Sequence, residues 1–436
     1  MTLRIARAKR LDRPARGLGR DFSLLVWAYS VQTLGEGVLL AALPLYASHL
    51  THNPRLISWV ALAQELPWLL LALPGGVIVD RHNRRLLMLG TQAIQAALLV
   101  VTALLATFGD ARLWMLYLLA FGLGAGDILF TGSSRAVVTA VVRPQQMEAA
   151  MGREATAEAL GRQFLGPPLG SAFFAFLLPL PFWFDAVTYT LSLLVIFRIR
   201  DTNRRFQPQR REREVAARST WQALFAEATQ GLRYVARHRV LRVVVALAAT
   251  SNFAVYMALS VLVLYAEEVL RIGSRGYGVL LAAMAIGGVL GALVSRRVVV
   301  GLGPRVVTIV VSLASALTLV AIGLFGHSPV PVAALFCIWS AGLSIWNVMA
   351  QTLSQTLVPD ELRGRVTSGN RMVAFGALPL GALAGGFVAG AYGLRAPWLI
   401  GGAIHLTIAL IFLPAILRWG HVAPAQARES EESDSC

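Results

Sequence analysis

Glu36 stands near the middle of the apolar run TLGEGVLLAALPLY, residues 33–46, with no basic residue within a helical turn. An ionisable side chain at the centre of a membrane helix costs roughly 3 kcal/mol, so each such group needs a partner or a task. Gln32 precedes Glu36 by four residues and Tyr29 lies about one turn earlier, which places a polar stripe on one helical face. A later apolar run presents Asp127, Thr131 and Arg135 at four-residue spacing, and another presents Glu158 and Arg162 at the same spacing. Glu65 and Asp185 lie towards the outer ends of their runs. The apolar runs of the second half offer Asn252 and Tyr256, then Asn347, Gln351 and Gln355, and a lone His405, but no carboxylate.

Coupling chemistry is therefore expected in the first half. Low dielectric disfavours the charged form of a carboxyl group. A carboxyl poised between its two forms can take up a proton on one side of a membrane and release it on the other, or hold a cationic substrate in competition with that proton. Glu36 is the first candidate for this work. Asp127 is the second, with Arg135 or Arg162 as its counter-charge, and a structural Asp127 stays open. Glu158 and Arg162 are spaced to pair on one helix. Glu65 reads as a packing or outer-gate residue, Asp185 as a cap or gate residue near an interface, and His405 as a bonded core histidine or a proton carrier. Gln32, Arg135, Arg162, Asn252 and Asn347 complete the expected coupling and substrate cavity. Trp27, Tyr29, Phe130, Phe164, Tyr256 and Trp346 would suit an aromatic lining.

The elements that must hold these groups are apolar helices. Of the 436 residues, 56 % are apolar and 14 % charged, against about 25 % charged in a typical soluble chain. The apolar residues fall into twelve blocks of bilayer-spanning length: 23–46, 57–79, 86–108, 113–134, 155–178, 182–198, 241–264, 277–295, 306–326, 330–353, 369–393 and 396–417. The first is too long for a signal-peptide core and reads as a retained helix. The net charge of +16 is unevenly placed: with an inside N-terminus, 33 basic residues fall on inward segments and five on outward loops. That bias puts both termini in the cytoplasm and makes the surplus a topology signal rather than a nucleic-acid footprint. Anionic lipid headgroups are the partners it suits.

Other chemistries lack their parts. Cys337 and Cys436 are the only cysteines, so no disulfide framework or cysteine metal cluster can form. Lys9 is the only lysine and lies in the basic arm, so no Gly-rich loop has a phosphate-binding lysine. Neither HExxH nor GxSxG occurs, and no catalytic residue, metal or cofactor is expected; the chain does not read as an enzyme. The GLGAG at 122–126 lies inside an apolar run, where Gly122 and Gly126 let another helix approach.

The longest polar stretch, 199–240, divides the chain six and six. The expected order is a basic arm (1–21), a first bundle (22–198), a linker (199–240), a second bundle (241–418) and a disordered tail (419–436). Within the linker, Trp221, Leu224, Phe225, Ala228, Leu232 and Val235 recur with helical period, which predicts an amphipathic helix along the cytoplasmic membrane surface. The halves match at an offset of 215: Pro144 with Pro359, Gly166 with Gly381, Gly170 with Gly385. GGVIVDRHNRR (75–85) also matches GGVLGALVSRR (287–297). Duplicated halves suit a central site between two bundles that rock against each other.

The loop after the second block reads Gly76-Val-Ile-Val-Asp80-Arg81-His-Asn-Arg84-Arg85. A glycine here permits close helix contact, and an acid among three arginines can form and break salt bridges as a bundle moves. The pattern resembles the G-x-x-x-D-R-x-x-R-R signature of the major facilitator superfamily, with Asn83 where glycine is usual. In the fifth block, Gly166-Pro167-Pro168-Leu169-Gly170 resembles part of that superfamily's exporter signature, with Arg162 in place of an earlier glycine. Prolines that weaken the helix ladder and glycines that allow packing suggest a hinge at Gly166, Pro167 and Gly170. QELPWLLLALPGGVIVDRHNRR, DAVTYTLSLL and VPDELRGRVTS resemble the branch that holds enterobactin exporters and macrolide-efflux proteins.

The resemblance implies an all-α fold of twelve transmembrane helices in two pseudo-symmetric six-helix bundles. It implies a gating motif of Gly76, Asp80, Arg81, Arg84 and Arg85, with Asp80 latching against the start of the eleventh helix. It also implies a proton-driven exporter of small amphipathic molecules in a bacterial plasma membrane, monomeric, using the proton motive force rather than a cofactor. Proton-independent facilitation, import, lipid flipping and a non-transporting receptor remain as alternatives.

Overall fold

The computed structural model describes residues 20–71, 74–143, 146–199 and 221–419. The basic arm up to residue 19, linker residues 200–220, Pro144 and the tail from residue 420 lie outside the described residues.

Helices dominate what is described. Span 1 is Arg20–Leu50, span 2 is Pro54–Leu71 continued by Pro74–Arg81, and span 3 is Arg84–Phe108. Span 4 is Leu113–Val141 and span 6 is Leu180–Phe197. Span 5 runs from Met147–Glu158 through a π-helical Ala159–Leu165 into Gly166–Phe176. In the second half, span 7 is Arg239–Leu259, extended by Leu262–Leu264 and a π-helical Tyr265–Val269. Spans 8 and 9 share the 52-residue stretch Ser274–Phe325. Spans 10, 11 and 12 are Pro329–Leu357, Asp360–Tyr392 and Ala396–Leu417.

Nine helices among the described residues are long and apolar enough to cross a bilayer alone, and the pair bent by 63° in span 2 makes a tenth. The kink within Ser274–Phe325 divides that helix in two, and the interrupted span 5 completes the twelve expected from the sequence. The kink has a local cause. Gly303 takes φ 75°, a left-handed conformation open to glycine, and Pro304 follows it without an N–H to continue the ladder. Asn83, the departure from the glycine of the signature, caps span 3: its side chain accepts from the N–H groups of Arg85 and Leu86.

The internal repeat is visible as packing. A side chain at Gly166 would overlap the backbone of Gly37, and one at Gly170 would overlap Val38, so spans 1 and 5 lie backbone to backbone. At the matched positions, Gly381 meets Phe253 and Gly385 meets Met257, giving spans 7 and 11 the same close approach. Gly122 packs on Leu98 and Gly126 on Gln95, so the GLGAG run seats span 3 as expected. Gly76 does not behave as expected: a side chain there would meet open space, and the neighbouring Gly75 is the one packed on Ile128 of span 4. Span 2 bends just before these residues, which turns Gly75 rather than Gly76 towards its neighbour.

The halves touch at the end opposite the linker and at mid-depth. At the far end, Ser48 Oγ donates to Glu267 Oε1 at 2.9 Å, Ser58 fills the space beside Gly386, and Arg55 lies over the Phe387 ring at 5.4 Å. Ser171 of span 5 packs on Gly278 of span 8. At mid-depth, Tyr256 donates to Glu65 at 2.9 Å and Trp68 stacks on Phe375 with centroids 5.9 Å apart.

The linker helix, Trp221–Arg237, forms where its periodicity predicts. Its C-terminal part packs on the second bundle. Val235 is buried with Val358 and Val366, the Tyr234 hydroxyl donates to the Leu357 carbonyl at 3.2 Å, and Gly231 abuts the Arg365 backbone. The elbow between spans 10 and 11 offers an apolar notch that this face fills.

Candidate functional site

Glu36 sits at mid-helix in span 1, and the glycines beside it, Gly35 and Gly37, let spans 6 and 5 approach closely. Gln32, one turn away, donates to Glu36 Oε1 at 2.7 Å and accepts from Gln92 of span 3. On the other side, Arg162 Nη1 lies 3.4 Å from Glu36 Oε2. The Glu36 side chain is 12 % exposed, so the carboxyl group is neither turned to lipid nor sealed.

The pairing of Arg162 differs from the sequence expectation. At four-residue spacing on an α-helix, Glu158 and Arg162 would share a face. The π-helical turn over Ala159–Leu165 inserts an extra residue per turn between them and rotates the guanidinium towards span 1. Glu158 instead accepts from the Tyr29 hydroxyl at 3.2 Å. Arg162 is thereby the charge neighbour of four carboxyl groups: Glu36, Asp127, Glu158 and Glu65.

Asp127 enters from span 4. It accepts from Gln95 Nε2 at 3.2 Å and from the Tyr189 hydroxyl at 3.4 Å, and its nearby charges are Glu36 and Arg162. Arg135, expected as a possible counter-charge, lies two turns away on the exposed face and has Glu154 and Arg371 as its electrostatic neighbours. It does not join the cavity. A small cavity of about 40 Å³ is lined by Glu36, Glu65, Trp68, Asp127, Arg162, Asp185 and Tyr189.

Glu65 and Asp185, read from the sequence as packing, gate or cap residues, both line this cavity. Glu65 reaches the cavity and binds Tyr256 of the other half, where the sequence suggests packing or an outer gate. Asp185 is fully buried, with Thr188 donating to one oxygen at 2.9 Å and no partner for the other among the described residues. The clue in the sequence was the absence of any basic residue near either acid.

The second half supplies a different cavity, about 360 Å³, lined by Asn252, Tyr256, Trp339, Trp346, Asn347, Asn370, Phe375 and His405. Asn252 Nδ2 donates to the Ala374 carbonyl at 2.8 Å, tying span 7 to span 11. Of the residues lining this cavity none is Asp, Glu, Lys or Arg. The aromatic lining differs in part from expectation. Trp27 is 67 % exposed and Phe130 is buried in the first-half core, while Phe164 lies on an exposed face. Trp68, Trp339 and Phe375 line the cavities instead. The two cavities abut, separated by the Trp68–Phe375 stack and the Tyr256–Glu65 bond.

The gating residues cluster at the linker end of spans 2 and 3. Arg85 donates to the Phe197 carbonyl at 2.8 Å and lies over its ring, Arg84 is buried, and Arg81 is exposed. The hinge residues Gly166, Pro167 and Gly170 are buried against span 1, and the departure from α-geometry lies just before them, in the turn that carries Arg162.

Comparison with known proteins converges on one family. The chain is 28 % identical over 434 residues to the multidrug efflux pump Tap of Mycolicibacterium fortuitum, covering 90 % of this chain and 95 % of that one. It is 28 % identical over 123 residues to macrolide efflux protein A of Streptococcus pyogenes, a match spanning 28 % of this chain and 30 % of that protein. Among solved structures, the nucleoside transporter NupG superposes with a TM-score of 0.70 at 12 % identity, over 91 % of this chain and 100 % of that one. A bacterial homologue of the iron transporter ferroportin, in an inward-facing state, superposes at 0.68 and 15 % identity, over 92 % and 99 %. The Major Facilitator Superfamily profile matches residues 25–377. Paired bundles, repeated glycine contacts and that profile agree, and the chain belongs to the Major Facilitator Superfamily.

Proposed function

We propose that this transporter exports small amphipathic molecules in exchange for protons. The observation that carries the reading is the charge count at the first-half cavity: one guanidinium, Arg162, among Glu36, Asp127, Glu65 and Asp185. One positive charge cannot neutralise four carboxylates, and uncompensated charge at mid-depth is expensive. Protons, or a cationic group on the substrate, make up the balance. As the halves rock, the cluster meets each side in turn and trades one for the other. One proton moving through 100 mV supplies about 2.3 kcal/mol, enough for roughly a fiftyfold gradient of a neutral solute.

The basic bias of the sequence supports a cytoplasmic linker end with both termini inside, and the membrane of this reading is a bacterial plasma membrane. The halves then close on the outer side, and the conformation is one that receives substrate from the cytoplasm. The efflux proteins among its relatives favour export. The partners are the small-molecule substrate, protons and membrane lipids, the working unit is a monomer, and no cofactor or nucleic acid takes part.

The test uses everted vesicles energised to acidify their lumen. Addition of ethidium or chloramphenicol to wild-type vesicles dissipates the pH gradient, and Glu36→Gln or Asp127→Asn reduces that proton release at least tenfold. Fully pH-coupled export by both variants would remove the cluster from the mechanism. Substrate flux in the wild type that ignores the gradient would instead make the protein a facilitator.

A further inference from the structure

Resting on the exporter reading, we propose that the second-half cavity is the substrate site, and that it takes a neutral ring-bearing molecule whose amide and neighbouring hydroxyl are held by His405 and Asn370. Four observations on separate residues lead there.

The first is room. The acidic cavity, about 40 Å³, has room for only a few waters, whereas the second-half cavity, about 360 Å³, lies in the range of small-molecule sites. Protons fit the one and organic ligands the other.

The second is unmet hydrogen bonding. His405, from span 12, is 1 % exposed, yet neither ring nitrogen has a partner among the described residues. Asn370 Oδ1, from span 11, is buried and likewise unpaired. Both residues line the cavity. Buried polar atoms are normally paired. A neutral imidazole offers one donor and one acceptor, and the amide of Asn370 adds another polar contact. Together these atoms need two ligand donors and one acceptor, which an amide with a neighbouring hydroxyl supplies.

The third is charge. The cavity lining carries no carboxylate, guanidinium or ammonium, so the part of the ligand seated there is uncharged. The fourth is shape: Trp339, Trp346 and Phe375 offer flat apolar faces, and Trp339 is held in place by its N–H bond to Ser315 at 3.1 Å.

The test is equilibrium binding to the full-length protein in nanodiscs without any ion gradient, by scintillation proximity. Tritiated chloramphenicol is the neutral amide-bearing aromatic probe, and tritiated tetraphenylphosphonium is an aromatic cation with no hydrogen-bonding group. His405→Leu weakens chloramphenicol binding at least tenfold and leaves tetraphenylphosphonium within threefold, which also reports an intact fold. His405→Asn, which keeps a donor and an acceptor, recovers part of the loss, and Asn370→Ala weakens chloramphenicol binding in the same sense. The proposal is overturned if His405→Leu binds chloramphenicol as wild type does, if both probes are lost together, or if the wild type shows no saturable chloramphenicol binding up to about 1 mM. Because no gradient is present, failure of proton coupling in vesicles leaves this result untouched, and the reverse also holds.

Discussion

Arg162 illustrates how much hangs on one side chain's direction. Its ion pair with Glu36 joins span 5 to span 1 and leaves the other acids of the cavity without a full counter-charge. At the membrane surface a different residue couples structure to pH. His238 caps span 7 by accepting the Leu241 N–H through Nδ1 at 3.4 Å, and burial holds its imidazole below the usual histidine range. The folded chain thus resists a proton that the unfolded chain takes up near pH 6.5. Stability is full above that value and is lost as pH falls through it. His238→Asn keeps a capping acceptor that does not titrate. The variant is expected to lose less Tm than wild type between about pH 7.5 and about pH 5.5, measured by scanning fluorimetry.

Among the elements, spans 1 and 5 and their repeats, spans 7 and 11, are seated by small residues. Valine at Gly170 or Gly385 would press on the backbone of Val38 or Met257, where nothing can yield as a side-chain tip would. Overpacking of this kind costs about 1–3 kcal/mol. Each substitution is expected to lower Tm, whereas Gly76→Val, whose side chain would meet open space, should leave it within error. An equal loss from all three would show that close contact does not set the effect, since helix propensity alone favours valine over glycine. The linker helix belongs to this scale too: docked on the elbow of spans 10 and 11, it ties the connection between halves to the second bundle.

For the whole molecule, the contacts between halves identify which end is shut. Ser58 and Gly386 adjoin at the end away from the linker. A Ser48→Cys, Glu267→Cys pair, also at that end, in a Cys337→Ser, Cys436→Ser background is expected to be joined by a short bis-methanethiosulfonate with loss of transport, and reduction is expected to restore it. Transport that survives complete cross-linking would mean that this end need not open during the cycle. The Trp68–Phe375 stack and the Tyr256–Glu65 bond stand between the two cavities, so movement of one half must remake both.

Hydropathy blocks, the doubled glycine pattern and the crowding of acids into the first half were all legible in the sequence, because each depends on residue type and spacing along one helix. Glu36, Gln32, Asp127 and Arg162 were found that way. Which acid each cation meets depends on rotation between helices, and a single π-turn, with no marker in composition, moved Arg162 from Glu158 to Glu36. What the acids face was equally hidden: Glu65 and Asp185 read as peripheral by position, and packing makes both part of the cavity lining. His405 was ambiguous for the same reason, since an unpaired imidazole is defined by what surrounds it in three dimensions. Residue type set what chemistry the chain possesses; only the packing of helices from both halves decided where that chemistry meets.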